Sequence, residues 1–153
     1  MPAFCTHYLF FEDSKEFMCS LADFSLNEKV CALGSQGADM FFFHKIYFPL
    51  HSKRKIGSAL HRAKPEDIFN AFAEYVRKNP DPTAKSYIYG FILHYALDRR
   101  CHPYVYALEK KITDSDKKIH HSSAHNRVEM GLDAYMLYQK SGTEYPYLFD
   151  SSK

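Results

Sequence analysis

The sequence of 153 residues contains no tryptophan, no CxxC pair of cysteines and no block of basic residues. Its lysines and arginines are scattered and the formal net charge is only +2, which argues against a protein dedicated to duplex nucleic acid. Nowhere do about 18 apolar residues run together, so no transmembrane helix is predicted. The N-terminus lacks the basic and long apolar regions of a signal peptide, and four widely spaced cysteines fit reduced thiols. We therefore expect a cytoplasmic protein.

What the sequence does contain is enough apolar material for one folded domain and an unusual number of histidines. Apolar residues make up 46% of the chain, and its length is that of a single ordinary domain. The aromatic fraction is 16%, all of it phenylalanine and tyrosine. Nine histidines are the feature that a functional interpretation has to explain first.

Apolar residues recur at helical spacing in five segments, and convincing strand signals are lacking, so we predict an all-α fold built as a helical bundle. The predicted helices cover residues 12–22, 25–34, 65–78, 83–100 and 123–140. Gly34 stands where a left-handed C-cap is expected, Gly142 is expected to end the last helix, and Pro65 suits a first turn. Pro103 predicts that the fourth helix ends near Arg100, followed by a solvated loop over 110–118.

Two of these helices carry histidines and carboxylates one turn apart. His94, Asp98 and His102 are spaced i, i+4, i+8, which keeps them within about 80° of one helix edge. His125 and Glu129 repeat the i, i+4 spacing on the next helix. One such pair alone usually makes a solvated contact worth about 0.3–0.5 kcal/mol.

Several ionisable groups among aromatic and aliphatic neighbours are costly to bury without a compensating cation, so the repeated pairs favour a metal site between facing helices. Imidazole with carboxylate suits zinc and, less selectively, other divalent first-row metals. The candidate ligands outnumber what one tetrahedral zinc uses, which predicts a multinuclear site.

In their order along the chain, several segments resemble the zinc-dependent phospholipase C family. They are Thr6-His7-Tyr8, residues 33–44 (LGSQGADMFFFH), 57–61 (GSALH), 90–98 (GFILHYALD), 101–104 (CHPY) and 125–129 (HNRVE). The resemblance extends from His7 to Asp133. Fungal single-strand-specific zinc nucleases are similar to this family in fold and ligand arrangement.

Carried over by position, the resemblance implies three metal sites, and we expect two or three Zn²⁺ ions per chain. By this resemblance the first ion would be held by Asp39, His61, His94 and Asp98, the second by His102, His125 and Glu129, and the third by His7 with Asp98 as a bridge. It also implies that Asp39 is the candidate general base, whereas on its own Asp39 would be interpreted as a turn residue. His44, His51, His120 and His121 match no ligand position. Asp133 is either an orienting group for a ligand histidine or a solvated carboxylate.

Two departures from the family pattern bear on these expectations. Secreted members complete the third site with an N-terminal tryptophan, and this chain begins Met1-Pro2, which leaves the completeness of that site open. Members also continue through further helices. We therefore expect residues 1–153 to form a single phospholipase C-like domain that lacks the C-terminal helices of the family, and a homo-oligomer is compatible with the sequence.

The function predicted from these residues is hydrolysis of a phosphodiester by metal-activated water, and the resemblance implies a phospholipid substrate. A zinc-dependent nuclease or nucleotidase is the alternative enzyme, favoured if aromatic side chains such as Tyr104 or Phe42 lie near the metal. A non-catalytic, metal-stabilised interaction module is the alternative of another class. The sequence does not separate a lipid from a nucleotide substrate.

Overall fold

A computed structural model describes residues 4–44 and 52–142, and the regular structure within these ranges is entirely helical, so the all-α prediction is confirmed. The elements are α1 (Phe4–Leu21), α2 (Glu28–Gly34), a short 3-10 helix (Asp39–Phe43), α3 (Arg54–Arg62), α4 (Pro65–Lys78), α5 (Pro82–Ser115) and α6 (His121–Ser141). Among the described residues, no helix has the length and apolar character that a membrane span requires.

Two predicted helix ends are found where the sequence placed them. Pro65 occupies the first turn of α4. Backbone N–H groups in a first turn have no hydrogen-bond partner within the helix, so the lack of an N–H on proline costs nothing there. Gly142 follows α6 with φ +71° and donates its N–H to Tyr138, as a left-handed C-cap requires.

The end predicted near Arg100 is wrong. α5 runs without interruption for 34 residues and passes through Pro103. An interior proline removes one backbone hydrogen bond and costs about 3 kcal/mol. Val105, two residues later, is almost fully buried, so tertiary packing beyond the proline offsets this cost. Residues 110–115, expected in a loop, therefore belong to α5.

Three further features of the helices differ from the prediction. α3 was not predicted at all, and α1 begins eight residues earlier than expected, which places His7 on a helix. Gly34 is the last residue of α2 and is followed by Ser35 in right-handed geometry, so it is not a left-handed cap. Gly34 is required instead because the neighbouring helix leaves no room for a side chain.

The chain divides into two compact units. The central unit is Phe11–His94, and the terminal unit combines Met1–Phe10 with Tyr95–Lys153. The boundary falls within α5, immediately after His94. The expectation of a single domain stays a prediction.

In the central unit, α2 and α5 approach so closely that both contact points are glycines. A Cβ added at Gly90 would lie 2.0 Å from the carbonyl oxygen of Cys31, and one added at Gly34 would lie 2.2 Å from that of Tyr87. Nearby, the Phe91 ring of α5 packs edge-on against Phe72 of α4, with centroids 5.1 Å apart. This contact fixes the part of α5 that carries His94.

The terminal unit has its own apolar core, to which α1, α5 and α6 all contribute. The buried side chains of this unit include Cys5, Leu9, Val105, Ala124, Val128 and Leu137. Their burial orients the polar edge of α5 and that of α6, which carry the remaining candidate ligands.

We expect Gly90→Ala to destabilise the protein by about 2–3 kcal/mol, because the new methyl group collides with backbone rather than with a movable side chain. Gly131→Ala in α6 is the matched control. Nothing lies within 4 Å of a Cβ at that position, so this variant should gain about 0.5–1 kcal/mol from helix propensity. Thermal or urea unfolding measures both, and equal stability of the two variants would contradict the close contact.

Candidate metal centre

The central unit brings together Asp39, His61 and His94, which lie far apart in the sequence. Asp39 begins the 3-10 helix, His61 lies in the last turn of α3 and His94 lies on α5. Their ligand atoms lie within 4.8 Å of one another, and His61 Nε2 is 2.9 Å from Asp39 Oδ1. Asp39 and His94 are buried, whereas His61 is partly open to solvent. The arrangement groups two imidazoles and one carboxylate within reach of a single ion.

Gly37 allows the segment before Asp39 to lie against the His94 ring. Its φ of +54° is in the left-handed region that favours glycine, and a Cβ there would lie 2.0 Å from His94 Cδ2. Both constraints exclude a side chain at this position. The glycines of this segment therefore place the carboxylate of Asp39 beside an imidazole from α5.

The terminal unit holds a second group, formed by His102 of α5 with His125 and Glu129 of α6. The ligand atoms of this group also lie within 4.8 Å of one another. Glu129 Oε1 is 3.1 Å from His125 Nε2 and 3.8 Å from His102 Nε2. Glu129 is buried, and the two histidines are half-buried.

His7 and Asp98 form a further pair inside the terminal unit. His7 Nε2 is 3.3 Å from Asp98 Oδ1, and His7 is almost fully buried. These two side chains line a cavity of about 20 Å³ together with His102 and Glu129. A void of this size accommodates a single water molecule or ion.

The hydrogen bonds of three imidazoles leave the same ring nitrogen, Nε2, facing a carboxylate. His61 Nδ1 is 2.8 Å from the carbonyl oxygen of Gly57, and His102 Nδ1 is 3.0 Å from that of Asp98, each four residues earlier in the same helix. His125 Nδ1 is 2.9 Å from a carboxylate oxygen of α5. An oxygen acceptor at Nδ1 favours a proton there, and a neutral ring in that tautomer presents an unprotonated Nε2, an arrangement common among metal-binding histidines.

The carboxylate at Nδ1 of His125 belongs to Glu109, a residue that the sequence interpretation missed. Burial raises the pKa of Glu109, but hydrogen bonds from His125 and His121 outweigh it, and the net shift is downward, which favours the ionised form. One signal was available: Glu109 follows His102 by seven residues, so it lies on the same face of a continuous helix. This relation was not recognised because α5 was expected to end near Arg100.

Asp133 is buried, so the solvated alternative is wrong. Its carboxylate accepts hydrogen bonds from the backbone N–H groups of Cys5 and Thr6 at 3.0 and 2.8 Å and from Thr6 Oγ1 at 2.6 Å. It thereby caps the first turn of α1 from α6. Because His7 is the next residue, Asp133 fixes the backbone that carries this candidate ligand.

Three of the remaining histidines make contacts outside the candidate ligand groups. His120 is the N-cap of α6, where its ring accepts a hydrogen bond from the backbone of Ser122. His44 accepts one from the backbone N–H of Lys53, and His121 contacts Glu109. His51 lies outside the described residues.

The donor set of both groups fits zinc. Each combines two imidazoles with one carboxylate, and neither includes a cysteine. Three protein ligands of this type are what a catalytic zinc uses, with a further position for water or substrate. Softer metals would favour thiolate or thioether ligands.

A family model described as zinc-dependent phospholipase C matches residues 6–152 of the chain. The chain belongs to the zinc-dependent phospholipase C family. This membership confirms the resemblance seen in the sequence and supports a zinc-dependent, phospholipase-like hydrolase. Neither the curated proteins nor the solved structures include a significant match to this family member. The ligand roles of the individual residues stay predictions.

We expect Gly37→Ala to reduce the zinc content of the purified protein, because the added methyl group displaces the His94 ring. Gly142→Ala is the matched control: its φ is also positive, but nothing lies within 4 Å of its Cβ position. Both variants should lose about 1 kcal/mol of stability from backbone strain, and only Gly37→Ala should lose metal. Elemental analysis of the folded variants measures the difference, and full metallation of Gly37→Ala would contradict a ligand role for His94.

Proposed function

We propose that this chain is a zinc-dependent phosphodiesterase that hydrolyses a phospholipid with metal-activated water. The observation that carries the proposal is the pair of imidazole–carboxylate groups, in which hydrogen bonds at Nδ1 of His61, His102 and His125 favour the tautomer with Nε2 available as a ligand. Family membership supports the lipid substrate class.

We assign one Zn²⁺ to Asp39, His61 and His94 and a second to His102, His125 and Glu129. A third is assigned to His7 and Asp98, whose side chains line the small cavity of the terminal unit. The bridging role that the resemblance implies for Asp98 stays a prediction. The eight assigned residues account for all the ligand positions that the resemblance implies.

Bound zinc would supply a Lewis acid that polarises phosphoryl oxygens and lowers the pKa of a coordinated water to about 7. The chain's own contribution to proton transfer is assigned to Asp39. Its Oδ1 faces His61 Nε2, so we assign Oδ2 to accept the proton of the attacking water. Its burial at the start of the 3-10 helix restricts competing bulk water and holds the carboxylate in one place.

A nuclease or nucleotidase is the second candidate, because aromatic rings lie beside both groups. Phe42 is 5.4 Å from the His61 ring, and the half-exposed Tyr106 is 5.3 Å from the ring of His102 and 5.5 Å from that of His125. Such rings can stack on a nucleobase. Tyr104 is also half-exposed. The same rings can contact a lipid headgroup, so substrates have to separate the two functions.

We expect the purified, untagged protein to contain two or three zinc ions per chain and to lose several degrees of melting temperature when they are removed. Without cations, several carboxylates and imidazoles, some of them buried, face one another at close range, so we expect metal binding to be coupled to stability. Elemental analysis and thermal unfolding with and without chelator provide the measurements, and added zinc should restore the melting temperature. One ion or fewer in fully folded protein would exclude the multinuclear site.

We expect Asp39→Asn to lower turnover by about 10²–10⁴-fold, the usual contribution of a positioned general base, while metal content falls only in part. The assay compares phosphatidylcholine, a chromogenic phosphodiester and single-stranded nucleic acid, each with and without zinc. Asp114→Asn, an exposed carboxylate paired with Lys110 and Lys117, is the matched control and should retain activity.

Three results would change the assignment. Unchanged activity of Asp39→Asn would remove the base role and leave the metal site intact. Preferential cleavage of the nucleic acid would favour the nuclease. If fully metallated wild-type protein cleaves none of the substrates, a metal-stabilised interaction module becomes the better account.

A further inference from the structure

Glu109 joins the two helices that carry the terminal-unit metal group. It lies on α5, two helical turns beyond His102, and its side chain is only 15% exposed. One carboxylate oxygen is 2.9 Å from His125 Nδ1, and the other is 2.8 Å from His121 Nδ1, both on α6. A carboxylate with both oxygens engaged by imidazoles has little freedom to rotate.

The Nδ1 partner of His125 differs in kind from those of the other two imidazoles. His61 and His102 donate to carbonyl oxygens of their own helices, which the backbone supplies whatever the neighbouring side chains are. His125 reaches instead across to a side chain of the neighbouring helix. Its tautomer and ring orientation therefore depend on one residue that can be substituted.

The other nitrogen of the same ring faces the metal group. His125 Nε2 is 3.1 Å from Glu129 Oε1, so the ring stands between two carboxylates, one at each nitrogen. Glu129 belongs to the candidate metal group with His102, whereas Glu109 does not belong to it. A carboxylate at Nδ1 is a stronger hydrogen-bond acceptor than a carbonyl, so it holds the imidazole more firmly in the orientation that presents Nε2.

We propose that Glu109 is a positioning residue that fixes His125 in its Nδ1–H tautomer and aims its Nε2 at the metal, an assignment that rests on the zinc-binding function proposed above. The exposed His121 donates to the second carboxylate oxygen and restrains Glu109 from the solvent side. Glu109 itself is not a ligand.

The test uses the full chain and two readouts, of which one needs no metal. The first is zinc affinity, measured by competition with a chromophoric chelator. The second is the tautomer of His125 in metal-free protein, read from ¹⁵N chemical shifts at a pH where the imidazoles are neutral. Comparison with His125→Asn assigns the resonances.

We expect Glu109→Leu to weaken the binding of one zinc ion by about 10–100-fold and to shift His125 from the Nδ1–H tautomer towards Nε2–H. Glu109→Gln keeps the shape and one acceptor oxygen, so it should retain the tautomer and lose less affinity; it also provides the test if Glu109→Leu does not fold. Glu74→Gln, a surface carboxylate paired with Lys78, is the control and should change neither readout.

The two readouts separate this proposal from the function on which it rests. A folded Glu109→Leu protein with an unchanged His125 tautomer would overturn the positioning role, whatever happens to zinc affinity. A changed tautomer with unchanged zinc affinity would overturn it as well, since the contact would then not serve the metal. If the wild-type protein binds no zinc, the proposed function fails, whereas the tautomer comparison still reports on the contact between Glu109 and His125.

Discussion

Hydrogen bonds at the Nδ1 atoms of the imidazoles are the interaction on which the candidate metal centre depends. A neutral imidazole carries one N–H, and whichever nitrogen carries it cannot bind a metal. In His61 and His102, helical backbone carbonyls take this hydrogen bond, and in His125 the carboxylate of Glu109 takes it. These three imidazoles are thus oriented without an ion, which would reduce the free energy that the proposed ion binding has to spend on ordering the ligands.

In each unit, the packing of the helices also positions the candidate ligands. In the central unit, close contact at Gly90 fixes the part of α5 that ends in His94, and Gly37 brings the segment before Asp39 against that imidazole. In the terminal unit, Asp133 holds the first turn of α1, from which His7 extends. Because these residues position candidate ligands without being ligands themselves, we expect variants at such positions to weaken ion binding at the proposed sites.

Continuity of α5 links structure to the proposed chemistry. Had the helix ended near Arg100, residues beyond His102 would follow an irregular path and the carboxylate of Glu109 would have no defined place. Because the helix continues through Pro103, the seven-residue spacing keeps Glu109 on the edge that bears His102. Burial of Val105 then stabilises a segment whose local sequence opposes it.

By itself, the sequence determined the all-α fold class, the family and the helical edge that carries His94 and His102, because helical periodicity and ligand spacing are properties of nearby residues. Tertiary structure alone decided the contact of Gly37 with His94, the burial of Asp133 and the partner of His125. Each joins residues from different segments of the chain, and neither spacing nor propensity specifies which helices face one another. Pro103 led to a wrong prediction of the helix end, because its local cost can be inferred from the sequence. The packing that offsets this cost exists only in the folded protein.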